Sequence, residues 1–237
     1  MKLSAPIFQL KRRARLMARN KALPLNEALD HIAREEGFAR WSLLSASLSS
    51  TPLSETILDR LDNGDLLLLA GRPGQGKTRL GLKLLLDAAR NGRKALFFTL
   101  EFTEPQARRH LTSLQGDACV AADAVQVFTS DDISADYIIR QMYGLEPGTV
   151  GVIDYLQLLD QQRSKPDLSE QLQSLGRFAR ETGIILAFIS QIDRAFETTG
   201  KRLPDIGDIR LPNFVDKALF SKACFLHGGE AQMKAVA

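Results

Sequence analysis

The chain has 237 residues, a formal net charge of +3, and 44% hydrophobic against 25% charged residues, the proportions of an ordinary globular protein. That length holds one α/β domain with a small appendage and excludes two large domains. The apolar fraction excludes an intrinsically disordered chain, and no run approaches the ~18 apolar residues of a membrane-spanning helix.

Charge is unevenly placed. Residues 1–40 hold nine Lys/Arg against four Asp/Glu, so the remainder carries a small acidic excess. Lys2, Lys11, Arg12, Arg13, Arg15, Arg19 and Lys21 all precede the first acidic residue, Glu27. Two readings stand: a basic arm for an acidic partner such as nucleic acid, or a solvated basic helix. The segment lacks the apolar h-region of a secretory signal and the Ser enrichment of a transit peptide, so a cytoplasmic protein is expected. Cys119 and Cys224 lie far apart without His or Cys at metal spacing and read as reduced core thiols.

Next, Leu25, Leu29, Ile32 and Ala33 recur at helical spacing behind Asn26, and Gly37 stops the run. Phe38, Trp41, Leu43 and Leu44 follow as an apolar cluster, so a helix, a glycine turn and a second helix are expected. Such a hairpin serves either as a DNA-binding helix-turn-helix or as a packing and partner-docking module. The scarcity of polar side chains over residues 38–48 favours the latter. Ser45 to Ser54 has linker composition, dividing the chain into a basic helical module with its linker, 1–50, and a second domain, 51–237.

From residue 53 onward short apolar strands alternate with helical patterns, the signature of a parallel sheet with crossover helices. Strands are expected at Leu66 to Ala70, Ala95 to Leu100, Val125 to Phe128, Val150 to Asp154, Ile184 to Ser190 and Ala223 to Leu226. Helices are expected over 77–91, 104–114, Ile133 to Tyr143 and 168–182, and the chain after Gly229 reads as a short tail.

The strongest chemical signal is Gly71-Arg72-Pro73-Gly74-Gln75-Gly76-Lys77-Thr78, which fits G-x4-G-K-[ST] between a buried strand and a helix. Its glycines let backbone N–H groups and the positive helix end cradle phosphate oxygens. Lys77 then reaches the β- and γ-phosphates, Thr78 offers a hydroxyl to Mg²⁺, and Arg79 continues the nucleotide-binding stretch. An apolar strand ending in Asp154 supplies a second metal-shell oxygen opposite Thr78. Glu101, just past the second strand, is the candidate general base that orients water, because carboxyl ends of parallel strands converge on the ligand crevice. Gln191, one residue beyond Ser190, is a candidate γ-phosphate sensor.

Together these segments resemble the DnaB-like replicative helicase family within the RecA-like ATPases. Leu67 to Thr78 looks like its phosphate loop with the Arg-Pro pair, and Phe97-Phe98-Thr99-Leu100-Glu101-Phe102-Thr103 is similar to its catalytic-glutamate strand. Asp154-Tyr155-Leu156-Gln157-Leu158-Leu159 matches its metal-binding motif, and Ile189-Ser190-Gln191-Ile192-Asp193-Arg194 resembles its sensor motif with Asp in place of Asn. The resemblance implies a RecA-like P-loop fold, a twisted, mostly parallel sheet flanked by helices. It also implies ATP and Mg²⁺ as cofactors, single-stranded DNA as partner, and a homo-oligomer, hexameric in the family's rings. Family loops that grip DNA correspond here to Asp160 to Leu168 and Arg194 to Arg210, which contain Arg163, Lys165, Arg194, Lys201, Arg202 and Arg210.

The departures are a head of about fifty residues where the family has a large primase-meeting domain, and no Lys-Arg-Asn-Gly-Pro-like segment after Gly229. Arg194, Arg202 or Arg210 are the candidates for that segment's arginine finger. The resemblance therefore implies an ATP-driven helicase-type motor in DNA replication or repair, contacting a replication protein through the N-terminal module. The alternative is an ATP-binding adaptor or helicase loader with weak or no unwinding. A clock or recombination type of RecA-like ATPase shares the phosphate loop but fits Asp154 to Gln157 less well.

Overall fold

The computed structural model describes residues 7–21, 23–44, 57–115, 121–156, 159, 166–210 and 216–236. They form two compact units, one built around residues 1–52 and one around residues 53–227. The linker expected at Ser45 to Ser54 lies outside the described residues, as does Cys119.

The small unit is a pair of helices, α1 (Ile7–Lys21) and α2 (Leu25–Glu35). Leu10 and Ala14, one turn apart on α1, meet Ala28 and Ile32, one turn apart on α2, in a small buried cluster. The sequence suggested a further helix across the Gly37 turn. The apolar stripe of α2 faces α1, and beyond Gly37 the described residues 41–44 are helical, as the sequence led one to expect: Trp41 packs against the same cluster, and an Asp30 carboxylate accepts its N–H at 2.8 Å. α2 ends in a Schellman motif: Phe38 N–H donates to Ala33 C=O at 2.9 Å and Gly37 N–H to Arg34 C=O at 3.0 Å.

The large unit is a seven-stranded sheet with helices on both faces. In chain order it runs β1 (Leu66–Gly71), α3 (Lys77–Arg90), β2 (Ala95–Thr99), α4 (Glu104–Gln115), β3 (Val125–Phe128) and α5 (Ala135–Met142). β4 (Val150–Asp154), α6 (Leu168–Thr182), β5 (Ile185–Gln191), β6 (Lys222–His227) and β7 (Glu230–Ala235) follow. The spatial order is β3-β2-β4-β5-β1-β6-β7, with parallel pairing from β3 through to β6. This is the mostly parallel sheet flanked by helices that the sequence implied.

Strand periodicity of two splits the core into two layers. Leu66, Leu68, Phe98 and Phe188 pack with α5 and α6, whereas Leu67, Leu69 and Phe97 pack with α3 and α4. The supposed tail after Gly229 is instead a strand. Gly228 and Gly229, at φ 60° and 88°, form a two-residue turn that side-chain-bearing residues adopt poorly, and Val236 N–H donates back to Ser221 C=O at 2.9 Å. Among the described residues no helix is long and apolar enough to cross a membrane.

Candidate active site

Parallel register brings the predicted site together. Thr99 pairs with Asp154, Asp154 with Ile189, and Gly71 with Gln191, so β2, β4, β5 and β1 end at one carboxyl edge. The switch in strand order on either side of β1 opens a crevice there.

The phosphate loop runs from Gly71 into α3. A Cβ on Gly71 would sit 2.9 Å from the Leu226 carbonyl oxygen, so only glycine lets β1 run this close to β6. Gly76, in the left-handed region at φ 86°, precedes the first helical residue and turns the loop onto the axis of α3. Lys77 Nζ donates to the Arg72 carbonyl at 3.1 Å, folding the lysine back across its own loop. Burial pushes its ammonium below the ordinary lysine value, while the Asp154 and Glu101 carboxylates pull the other way.

Asp154 is almost wholly buried at the end of β4. Burial raises its carboxyl to about 7; a hydrogen bond from Thr78 and the Lys77 charge oppose that rise, and Glu101 adds to it. One carboxylate oxygen, Oδ2, is buried with no hydrogen-bond partner, and the same holds for Ser190 Oγ on the neighbouring strand. Glu101 is exposed just beyond β2, its N–H donating to Thr99 Oγ1 at 3.1 Å. Gln191 is half-buried at the tip of β5.

An unsatisfied buried carboxylate oxygen beside a hydroxyl offers a pair of hard oxygen donors, and fits Mg²⁺. Arg72 does not point at this position: its Nε donates to Glu197 Oε1 at 2.8 Å and its Nη1 to Ile192 C=O at 3.1 Å. Arg79 is exposed on the first turn of α3. It lines, with Thr78, Leu82, Phe102, His110 and Leu114, a pocket of about 450 Å³ between α3 and α4 that the sequence did not reveal. The Phe102 and His110 rings stand 4.9 Å apart in its wall.

Of the residues expected to face DNA, Arg163 and Lys165 lie outside the described residues. Arg194, Arg202 and Arg210 are exposed on the segment after β5. Lys201 is held between Asp205 at 2.9 Å and Asp208 at 3.1 Å, so its charge is already met inside that segment.

Residues 123–217, which contain β4, β5 and the segment beyond them, match the family model of the DnaB-like helicase C terminal domain. This part of the chain is similar to that DnaB-like domain. The replicative DNA helicase DnaB of Synechocystis is 28% identical over 181 residues, 63% of this chain but 21% of that protein. The chain thus spans about a fifth of that curated relative's length. Among solved structures, a DnaB-like replicative helicase described with its interactions with primase superposes at TM-score 0.59, with 20% identity over 92% of this chain and 65% of that one. A solved ATPase domain gives TM-score 0.57, with 21% identity over 78% of this chain and 81% of that one. The DnaB-like family match begins beyond the phosphate loop, so the loop's assignment rests on its own residues and geometry.

Proposed function

We propose that the protein binds Mg-ATP at the carboxyl edge of its sheet and hydrolyses it as a DnaB-like motor acting on single-stranded DNA. The observation that carries this reading is the convergence of Lys77, Thr78, Glu101 and the buried, half-satisfied Asp154. Loop N–H groups and the amino end of α3 bind the phosphates, and Lys77 leaves the Arg72 carbonyl to contact the β- and γ-phosphates. Thr78 and Asp154 would hold Mg²⁺, which supplies neutralisation of the charge developing on the transferred phosphoryl group. Glu101 takes the proton of the attacking water as that oxygen bonds the γ-phosphorus and the bridging oxygen leaves with ADP. Gln191 contacts the γ-phosphate from the tip of β5, and the pocket beside Arg79 and Phe102 leaves room for the nucleoside.

On the same reading, Arg194, Arg202 and Arg210, with Arg163 and Lys165, contact DNA phosphates without reading sequence, while Lys201 organises the loop that presents them. The names of the relatives, replicative DNA helicases and one described with its interactions with primase, support a role in DNA replication; on the same reading the protein works in the cytoplasm as a homo-oligomeric ring and meets a replication protein through the α1–α2 unit. The test is ATP hydrolysis measured with and without single-stranded DNA, together with the mass of the oligomer under each condition. Stimulation by DNA and a ligand-dependent ring are expected. Absence of ATP binding, or binding unchanged in Lys77→Ala, overturns the reading.

A further inference from the structure

The segment after β5 is closed and anchored at its base. Asp193 N–H donates to Asp208 C=O at 2.7 Å, Arg210 N–H donates to Gln191 C=O at 2.8 Å, and Ile192 pairs with Ile209 in an antiparallel bridge. Asp193 Oδ1 caps the following 3-10 turn, Arg194–Thr198, through the Ala195 N–H at 2.8 Å. Phe196 is buried in that turn against the His227 ring, 5.0 Å away and edge-on. Glu197, the next residue, therefore projects from backbone that is fixed on both sides.

Glu197 accepts the Arg72 Nε at 2.8 Å, and the same guanidinium reaches the Ile192 carbonyl at 3.1 Å. The Arg72 side chain is only 15% exposed although its residue lies in the phosphate loop. Its main chain does the opposite work: the Arg72 carbonyl receives Lys77 Nζ at 3.1 Å and the Gln75 N–H at 3.2 Å. One residue thus fastens the loop to the 192–210 segment with its side chain and sets the loop's internal turn and the lysine's resting place with its carbonyl. An exposed ion pair by itself contributes little to stability. Here its geometric consequence falls on the group that would bind phosphate.

We infer that Glu197 is a positioning residue for nucleotide binding: through Arg72 it holds the phosphate loop in its binding shape and ties it to the segment bearing Arg194 and Arg202. The inference rests on the ATP reading above and names a residue that reading does not use. Glu197 touches no reacting atom, so its effect belongs in ATP affinity and not in the chemical step.

The test uses the full chain and Mg-ATP, with Kd from calorimetry and KM and kcat from turnover. Glu197→Ala is expected to raise Kd and KM about three- to ten-fold and to change kcat less than about twofold. Glu197→Gln, which keeps an acceptor, is expected to fall between it and the parent. The nucleotide-free melting temperature should stay within about 2 °C of the parent in the Gln variant. In an Arg72→Ala background, Glu197→Ala should add less than about twofold, because its route is already cut. Unchanged affinity in both Glu197 variants, or fully additive losses with Arg72→Ala, overturns the inference while leaving the ATP reading intact. A parent protein that does not bind Mg-ATP overturns both.

Discussion

The two edges of the large sheet are built from the same strands and treat buried polarity in opposite ways. At the amino edge Asp65 is fully engaged: Ser221 Oγ donates to its Oδ1 at 2.6 Å, and the Asp62 N–H and Lys222 Nζ reach its Oδ2 at 2.8 and 2.7 Å. Burial raises the Asp65 carboxyl, but Lys222, Ser221 and Asp62 outweigh it and hold the group below its ordinary value. At the carboxyl edge Asp154 keeps a buried oxygen without a partner and is pushed up to about 7. A satisfied network pins β6 to β1; an unsatisfied carboxylate is a site prepared for something that arrives later.

The contrast is broken most sharply at Glu101. Glu101→Gln should lower ATP turnover by roughly 10²- to 10⁴-fold while leaving ATP affinity within a few-fold of the parent, as steady-state kinetics and calorimetry together will show. Lys77→Ala should cost about 3 kcal/mol of ATP binding, more than 100-fold in Kd, with an unchanged circular dichroism spectrum. Loss of the fold in that variant would show that the lysine belongs to the structure and not to the ligand.

The edges also differ in how they respond to pH. Asp154 is protonated in the ligand-free folded state and ionised in the unfolded state between about pH 4 and 7, so its contribution to stability falls as pH rises through that window. Its raised value corresponds to about 4 kcal/mol at most above pH 7. Asp154→Asn should therefore stabilise the ligand-free protein at pH 8, by about 2 kcal/mol in urea unfolding, and weaken the dependence of ATP binding on Mg²⁺. Asp65 has the opposite sign. Its stabilisation is present above the unfolded value near 3.8 and is lost as pH falls through its lower folded value. Asp65→Ala should cost about 1–3 kcal/mol at neutral pH without moving ATP affinity, since the network sits at the far edge. A change in ATP affinity in that variant would dissolve the distinction between the two edges.

Much of this was legible along the chain because it is local. Gly71 to Thr78 are consecutive, and the turn, the helix end and the lysine they create need no distant partner. Asp154 and Glu101 were legible as polar residues at the ends of apolar strands, because parallel strands all end at one edge. The Arg72–Glu197 pair was not, since its members are 125 residues apart and nothing in either segment names the other. Nor was the Asp65–Ser221 contact, 156 residues apart, or the pocket between α3 and α4. The helical pattern of α2 and the helical residues beyond Gly37 were clear, but that α2 also packs on α1 was not, because one amphipathic stripe does not specify every neighbour it faces. β7 was missed although Gly228-Gly229 is a hairpin turn signal, because its burial is partial and its pattern weak.

By itself, then, the sequence determined the order of elements, the phosphate loop and the residue types that cradle phosphates, since backbone preference and side-chain period are properties of short segments. Only the tertiary structure decided which strand tips lie in register, that Arg72 turns toward Glu197, and that Asp154 keeps an unpaired oxygen near neutral pKa. Desolvation and hydrogen-bond satisfaction depend on every element packed around a group, and no stretch of sequence contains that sum.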